Sequence, residues 1–461
     1  MMNKKTILEA LVAILMLLLP TAASAYDIVV DGIYYDLVDG NAVVTNNGQS
    51  NCYSGDIVIP GDITHNGQIY LVTAIGENAF MLSSNLTHVT IPHSVTTIGN
   101  SAFTKCTALT SVNLPNSVKR IGTYAFAMCG NITSVKIPDS VTAIDQYAFY
   151  ACTGLETLTV GKSVASIGEN AFSACYQMTT LVWNARRCNS TGSLTATGID
   201  SVSIGHEVEL LPHGFVKSSR ITSIAIPNSV TSIGDEAFFD CTHLTSIDIP
   251  DSVTVIRDYT FYGCSSLRSI TLGNRVKTVG ECAFENCTAL TSIDIPNSVT
   301  TIQDFAFEGC HRLASVIMGS GVTTIGTCIF YYCDQLTDVA CSAITPPSVN
   351  NGLFDNMDYY AHATLHVPAE SVHAYQAALY WKDFFNIVGD ATTYVHGDVN
   401  GDGEVNIADA NSVTEVIVNG GPGKGHTRVP GDEDFMIYDV NGDGEVNIAD
   451  INAIIELILS Q

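Results

Sequence analysis

Phenylalanine returns on a fixed step. Phe80, Phe103, Phe126, Phe149 and Phe172 lie 23 residues apart, and Phe215, Phe238, Phe261, Phe284, Phe307 and Phe330 keep the same interval. Around each ring stands nearly the same stretch, as in Leu109-Thr-Ser-Val-Asn-Leu-Pro-Asn-Ser-Val-Lys-Arg-Ile-Gly-Thr-Tyr-Ala-Phe126. A unit this short cannot bury its own apolar positions. Stacked units can, because each covers the next and one core runs through all of them. The period therefore excludes an ordinary globule for most of the chain and requires a solenoid.

A period of 20–29 residues with Leu, Ile and Val at constant offsets marks a leucine-rich-repeat solenoid. Within a unit, Val112-x-Leu114 alternates like a short strand that stops at Pro115. Val118-x-x-Ile121-Gly122 then forms a second extended side, and Ala125-Phe126 closes the coil. The expectation is a β-rich leucine-rich-repeat solenoid of about 12 coils spanning residues 56–340, with parallel ladders between coils at ~4.8 Å. From Phe172 to Phe215 the step is 43 residues, three short of two periods. Val202, Ile204, Val208 and Leu211 half-match the pattern, which predicts one degenerate coil with an irregular loop near 186–198.

The motif Leu-x-x-Ile-x-Ile-Pro-x-x-Val-x-x-Ile-Gly-x-x-Ala-Phe-x-x-Cys recurs from about residue 80 to 333. It resembles the leucine-rich repeats of the BspA type, a family of bacterial surface proteins. The resemblance implies an exported protein used in adhesion or recognition and brings no catalytic residues with it.

The ends read as different material. Residues 1–25 carry Lys4 and Lys5, an apolar run from Ile7 to Leu19, and Ala23-Ser24-Ala25, which is the layout of a cleaved signal peptide. The apolar run is shorter than the ~20 residues a span needs, so no membrane span is expected. Tyr26 to Gly48 reads as a polar-edged β-hairpin capping the first coil, within a cap of residues 26–55. Residues 341–392 form the opposite cap, with a helix expected from Ser371 to Trp381 and with Trp381, Phe384 and Phe385 as its core.

Lys plus Arg number 19 against 46 Asp plus Glu, a net charge of −27. Nucleic acid and anionic membrane reward clustered cations and are excluded as partners by that balance. Nine of the 14 cysteines (Cys106, Cys129, Cys152, Cys175, Cys241, Cys264, Cys287, Cys310 and Cys333) fall three residues after a repeat Phe. That constant offset asks for a small buried side chain rather than a pair, so a column of free thiols is expected. Cys52, Cys188 and Cys341 have no assignable partner.

The most specific chemistry lies at the C-terminus. Asp398, Asn400, Asp402, Glu404, Asn406 and Asp409 occupy positions 1, 3, 5, 7, 9 and 12 of a calcium loop, and Asp439, Asn441, Asp443, Glu445, Asn447 and Asp450 repeat it 41 residues later. Ca²⁺ takes six to eight oxygens, here side-chain oxygens from five positions and a backbone carbonyl from Glu404 or Glu445. Gly403 and Gly444 permit the sharp turn. Two Ca²⁺ sites are thus expected in residues 396–461. Position 12 is Asp rather than Glu, no good helix precedes either loop, and one helix follows each (408–418 and 449–459). In these features the pair resembles a type I dockerin. The resemblance implies a cohesin-like partner bound through the residues just after the ligands, here Ile407, Ala408, Ile448 and Ala449. Identical faces in both halves would allow two binding orientations.

No Gly-x-Ser-x-Gly, His-Glu-x-x-His or phosphate-loop motif occurs, and the chain is not expected to be an enzyme. Function must reside in surface. Ser/Thr columns run beside the buried offsets: Ser111, Ser134 and Thr157; Ser223, Ser246, Ser269, Ser292 and Ser315; and, on the Val side, Thr96-Thr97, Thr231-Ser232, Thr300-Thr301 and Thr323-Thr324. These are either solubilising β-formers or a broad, weakly charged face for a protein or glycan. Exposed aromatics are expected to be sparse, with Tyr124 and Tyr147 the only neighbours at one offset. Two functions remain: a secreted or cell-surface binder whose dockerin anchors it, or an accessory component of a polysaccharide-degrading complex.

Overall fold

The computed structural model describes residues 26–49, 51–191, 194, 198–217, 219–353 and 363–389, with 407, 410, 411, 414 and 451–455 of the C-terminal region. The chain divides into two compact units, Met1–Gln177 and Met178–Gln461. Together they hold about 13 turns of a β-solenoid with few helices, one turn more than the repeat count suggests.

In the first unit the Val-x-x-Ile offset builds a parallel ladder in which Thr97–Ile98, Arg120–Ile121, Ala143–Ile144 and Ser166–Ile167 pair in strict 23-residue register. A second side of the coil pairs Ser134–Lys136 with Thr157–Val160. The strand expected at Val112-x-Leu114 is reduced to isolated bridges, Thr90 to Asn113 and Val112 to Val135. Inside, Phe80, Phe103, Phe126, Phe149 and Phe172 stack at 4.9–5.3 Å with ring planes within 11° of parallel. All five rings are buried. Ring spacing follows strand spacing, because in-register coils leave a side chain no other neighbour at its own offset.

In the second unit the irregular coil falls where the 43-residue step places it. Thr180–Trp183 pairs with Ser201–Ile204, and Leu210–Leu211 with Ser232–Ile233. Trp183 stands in for the missing ring, edge-on to Phe215 at 5.3 Å. Regular stacking resumes from Phe238 to Phe307 at 5.3–5.4 Å.

Except around Phe215, where Gly214 alone is left-handed, each coil also carries left-handed backbone two residues before and two after its Phe. Tyr124 (φ 56°), Tyr147 (57°) and Tyr259 (56°) hold the first position, and Ala151 (54°), Ala174 (63°) and Gly263 (70°) the second. Such conformations cost non-glycine residues about 1 kcal/mol or more each. They persist because the next coil fixes them: the Tyr124, Phe126 and Met128 amides donate to the carbonyls of Gln146, Ala148 and Tyr150 at 2.7–3.1 Å.

The caps differ from expectation in detail. Ile28–Val30, Ile33–Val38 and Asn41–Thr45 form a three-stranded antiparallel meander rather than a hairpin. Asn41–Thr45 pairs in parallel with Gln68–Ile75, which also takes Asp62–His65 antiparallel. At the other end the α-helix covers only Val372–Ala377, with 3-10 turns at Ala369–Ser371 and Trp381–Asp383. Trp381 and Phe384 are cap core, but Phe385 is 78% exposed. The Trp381 indole donates to the Pro347 carbonyl at 2.8 Å and Tyr375 to that of Ala343 at 2.8 Å.

Candidate functional site

The surface is built from what each offset does. On the Val side the hydroxyls turn inward along the axis. Thr96, Thr142, Thr300 and Thr323 each donate to a carbonyl 23 residues earlier, at 3.1–3.3 Å. Ser117, Ser140, Ser252 and Ser298 do the same 22 residues earlier, at 2.5–2.7 Å. Asp139, Asp251 and Asn297 accept backbone N–H groups of Lys162, Asn274 and Ser320 at 2.6–3.0 Å. These residues clasp coil to coil, a role that the choice between solubilising and ligand-binding columns did not include.

The cysteine column is likewise occupied with the fold. Cys106, Cys129 and Cys152 donate their thiol hydrogens to the carbonyls of Phe80, Phe103 and Phe126 at 3.0–3.1 Å. In the second unit Cys264, Cys287, Cys310 and Cys333 repeat this at 3.2 Å. All fourteen cysteines are unbridged in the structure. Burial pushes the Cys106 thiol up to about 12 and Cys175 likewise, which keeps both as S–H donors and poor nucleophiles.

A further edge is formed by the residues flanking each Phe, while on the strand side Ser134, Ser223 and Ser246 stay exposed. In the first unit Tyr124 and Tyr147 stack at 4.8 Å, with Tyr150 edge-on to Tyr147 at 5.7 Å. They are not the only neighbouring pair. In the second unit Phe239 and Tyr262, one residue after their repeat Phe, stack at 4.7 Å, and Tyr259 tilts against Tyr262 at 6.0 Å. The signal for this pair was present in the sequence, since both occupy one offset 23 residues apart. Lys217 places its ammonium 4.0 Å from the Phe239 ring centre and 2.5 Å from a Glu236 oxygen. Cys282 beside Tyr259, and then burial, push that phenol up to about 12. Burial first, and the Glu285 charge second, raise Glu308.

An open depression of about 420 Å³ is lined by Arg186, Glu207, Glu209, Ser229 and Thr231. Both Arg186 and Arg187 pair with Glu209, which holds that carboxyl below its ordinary range. The two guanidinium groups thus link the irregular coil to its neighbour at the surface. No group of His, Cys, Asp and Glu suited to a metal occurs among the described residues, and none of their helices is long and apolar enough to cross a membrane.

The twelve expected calcium ligands, with Ala408, Ile448 and Ala449, lie outside the described residues. The flanking positions that are described agree with a helix after each loop: Ile407, Ala410, Asn411 and Thr414 are helical, as are residues 451–455. Thr414 donates its hydroxyl to the Ala410 carbonyl at 2.7 Å, one helical turn back. Ala410 and Ile454 are buried, whereas Ile407 is 64% exposed. The loops supply only carboxylate, amide and carbonyl oxygens, a donor set that fits Ca²⁺.

Comparison with known proteins agrees with this division. The model of the BspA type leucine rich repeat region matches six copies over residues 73–190 and 210–337, more than half of the chain. The dockerin type I domain model matches residues 396–459. Among solved structures, a leucine-rich repeat protein from Bacteroides ovatus is 28% identical with a TM-score of 0.46, covering 68% of this chain and 94% of its own. A leucine rich cell surface protein from Faecalibacterium prausnitzii is 28% identical with a TM-score of 0.37, covering 69% and 95%. No curated protein matches. The chain belongs to the BspA-type leucine-rich-repeat family and carries a type I dockerin domain at its C-terminus.

Proposed function

We propose that the protein is an exported, non-enzymatic binder: the solenoid recognises a protein or glycan, and the dockerin, loaded with two Ca²⁺, anchors it to a cohesin-like partner. The observation that carries this reading is the union of a repeat region over 73–337 with a dockerin domain over 396–459 in one chain. Asp398, Asn400, Asp402, Glu404, Asn406 and Asp409 would hold one ion, and Asp439, Asn441, Asp443, Glu445, Asn447 and Asp450 the other. Bound calcium supplies positive charge that offsets the crowded carboxylates and fixes each loop at the head of its helix. Ile407 with Ala408, and Ile448 with Ala449, then form the cohesin-facing surface. The apolar, exposed Ile407 suits such a contact. Residues 1–25 direct export, and cleavage before Tyr26 yields the mature chain. The domain limits are 26–55 for the first cap, 56–340 for the solenoid, 341–392 for the second cap and 396–461 for the dockerin.

The dockerin also favours a second reading, an accessory role in a polysaccharide-degrading assembly. An immobilised cohesin should retain the full chain in millimolar calcium and release it in chelator. Failure across a panel of cohesins removes the anchoring role. Sugar release from plant or host polysaccharide by the purified chain would overturn the non-enzyme assignment.

A further inference from the structure

We propose that the Phe-flanking edge of the second unit docks lysine- or arginine-bearing segments of a protein partner, holding each cation between an aromatic face and a carboxylate. This rests on the solenoid being a binding surface and names the chemistry of what it binds. The fold already contains one filled copy of such a slot. Lys217 lies 4.0 Å from the centre of the Phe239 ring while paired at 2.5 Å with Glu236. Its side chain is 36% exposed, so the pair is partly withdrawn from water and the ring's attraction for a cation is correspondingly greater.

The following coils bring an aromatic ring and carboxylates together again, the carboxylates now one residue after the repeat Phe rather than two before it as Glu236 is. Tyr262 stacks on the far side of Phe239. The next two coils carry Glu285 and Glu308 at the same offset, joined in register by backbone bonds from Gly263 to Glu285 and from Asn286 to Glu308. One coil after Tyr262 the offset carries the Glu285 carboxylate, close enough for its charge to raise the Tyr262 phenol after burial does. Among the described residues the hydrogen bonds to Glu285 come from neutral groups, the Asn286 amide at 3.3 Å and the Cys282 thiol. No ion pair to Glu285 or Glu308 occurs among the described residues. Burial and then the Glu285 charge disfavour the ionised Glu308, and an incoming ammonium or guanidinium offsets that cost. Charge complementarity thus selects a cationic protein segment. The Phe239 ring is already engaged by Lys217 at 4.0 Å and by Tyr262 at 4.7 Å, and the next two coils add carboxylates rather than further rings, so the edge favours a cation over a sugar.

The test uses the full chain and a fluorescent peptide containing a tetralysine run, alongside the same peptide with every lysine acetylated. Anisotropy titrations should show the acetylated peptide binding at least about tenfold more weakly. Glu285→Gln with Glu308→Gln should weaken binding of the free peptide about tenfold, and Tyr262→Leu about fivefold. Glu77→Gln with Glu156→Gln, exposed carboxylates in the first unit, should change it less than about twofold. Equal losses in the two carboxylate pairs would mean that net charge alone attracts the peptide, and the proposal falls. Undiminished binding of the acetylated peptide, or displacement by a neutral oligosaccharide, overturns it as well. The glutamine variants keep shape and volume, so they remain informative if Tyr262→Leu fails to fold. Retention on cohesin is read on the same samples, which separates a failed peptide slot from a failed anchor.

Discussion

A repeat Phe carbonyl has two lone pairs. In the first unit the Phe103 oxygen accepts the Cys106 amide at 3.1 Å and the Cys129 thiol at 3.0 Å. Alanine at the cysteine offset lacks the sulfur, so it leaves a small void and one lone pair bare. This gives the column a pH signature. Burial raises the Cys106 thiol from its ordinary 9.0 to about 12. The fold therefore favours the protonated thiol: its contribution is complete below pH 9 and is lost as pH rises toward 12. The difference in unfolding free energy between the native chain and Cys106→Ala should shrink above pH 9 by about 1.4 kcal/mol per pH unit. Urea titrations from pH 8 to 11 read this directly, and a pH-independent difference would show that the thiol is not held as a donor. Backbone strain makes a second residue-scale prediction. Ala151 is left-handed (φ 54°) at the offset where Gly263 and Gly309 stand in the other unit. Ala151→Gly should stabilise by about 1 kcal/mol despite glycine's freer unfolded chain, measured by thermal melting; destabilisation would mean the alanine is not strained.

At the scale of the coil, stability is a sum of coil-to-coil interfaces, so damage is felt by the two neighbours first. Phe149 stacks on Phe126 at 5.1 Å and on Phe172 at 5.3 Å, fully buried. Phe149→Ala should cost about 3–5 kcal/mol, with hydrogen exchange accelerating most in residues 126–172; an effect under ~1 kcal/mol would contradict a shared core. The coil was legible because Phe, Ile, Val and Cys each recur at one offset and burial tolerates little variation there. The left-handed flanks were not, since Tyr124, Ala151 and Glu236 share no chemistry that favours positive φ. Their conformation is imposed by the hydrogen bonds of the next coil. The cap was misread in part for a similar reason. Phe385 follows two core aromatics in sequence, yet its position beyond the short turn at Trp381–Asp383 leaves it in solvent.

For the whole molecule, the sequence separates two kinds of stability. The solenoid units have an apolar core of their own. The C-terminal sequence instead concentrates acidic residues in two loop motifs, which on the proposed function are neutralised by calcium. The dockerin domain was legible because its duplicated loop pattern keeps oxygen-bearing residues at fixed positions. The aromatic and acidic edge was not, because an exposed offset tolerates Phe, Tyr or Glu alike and acquires meaning only when neighbouring coils bring these side chains together. Calcium bound only by the folded dockerin adds about 2.7 kcal/mol per site at a hundredfold excess over Kd. Asp402→Ala with Asp443→Ala should therefore mimic chelation and abolish retention on cohesin, while leaving solenoid melting unchanged.

The most direct measurement is calorimetric titration of the full chain with calcium, followed by melting in calcium and in chelator. The account predicts two ions per chain, a low-temperature transition that appears only in chelator, and an unmoved main transition. Absence of calcium binding, or identical melting in both solutions, would contradict a calcium-built anchor.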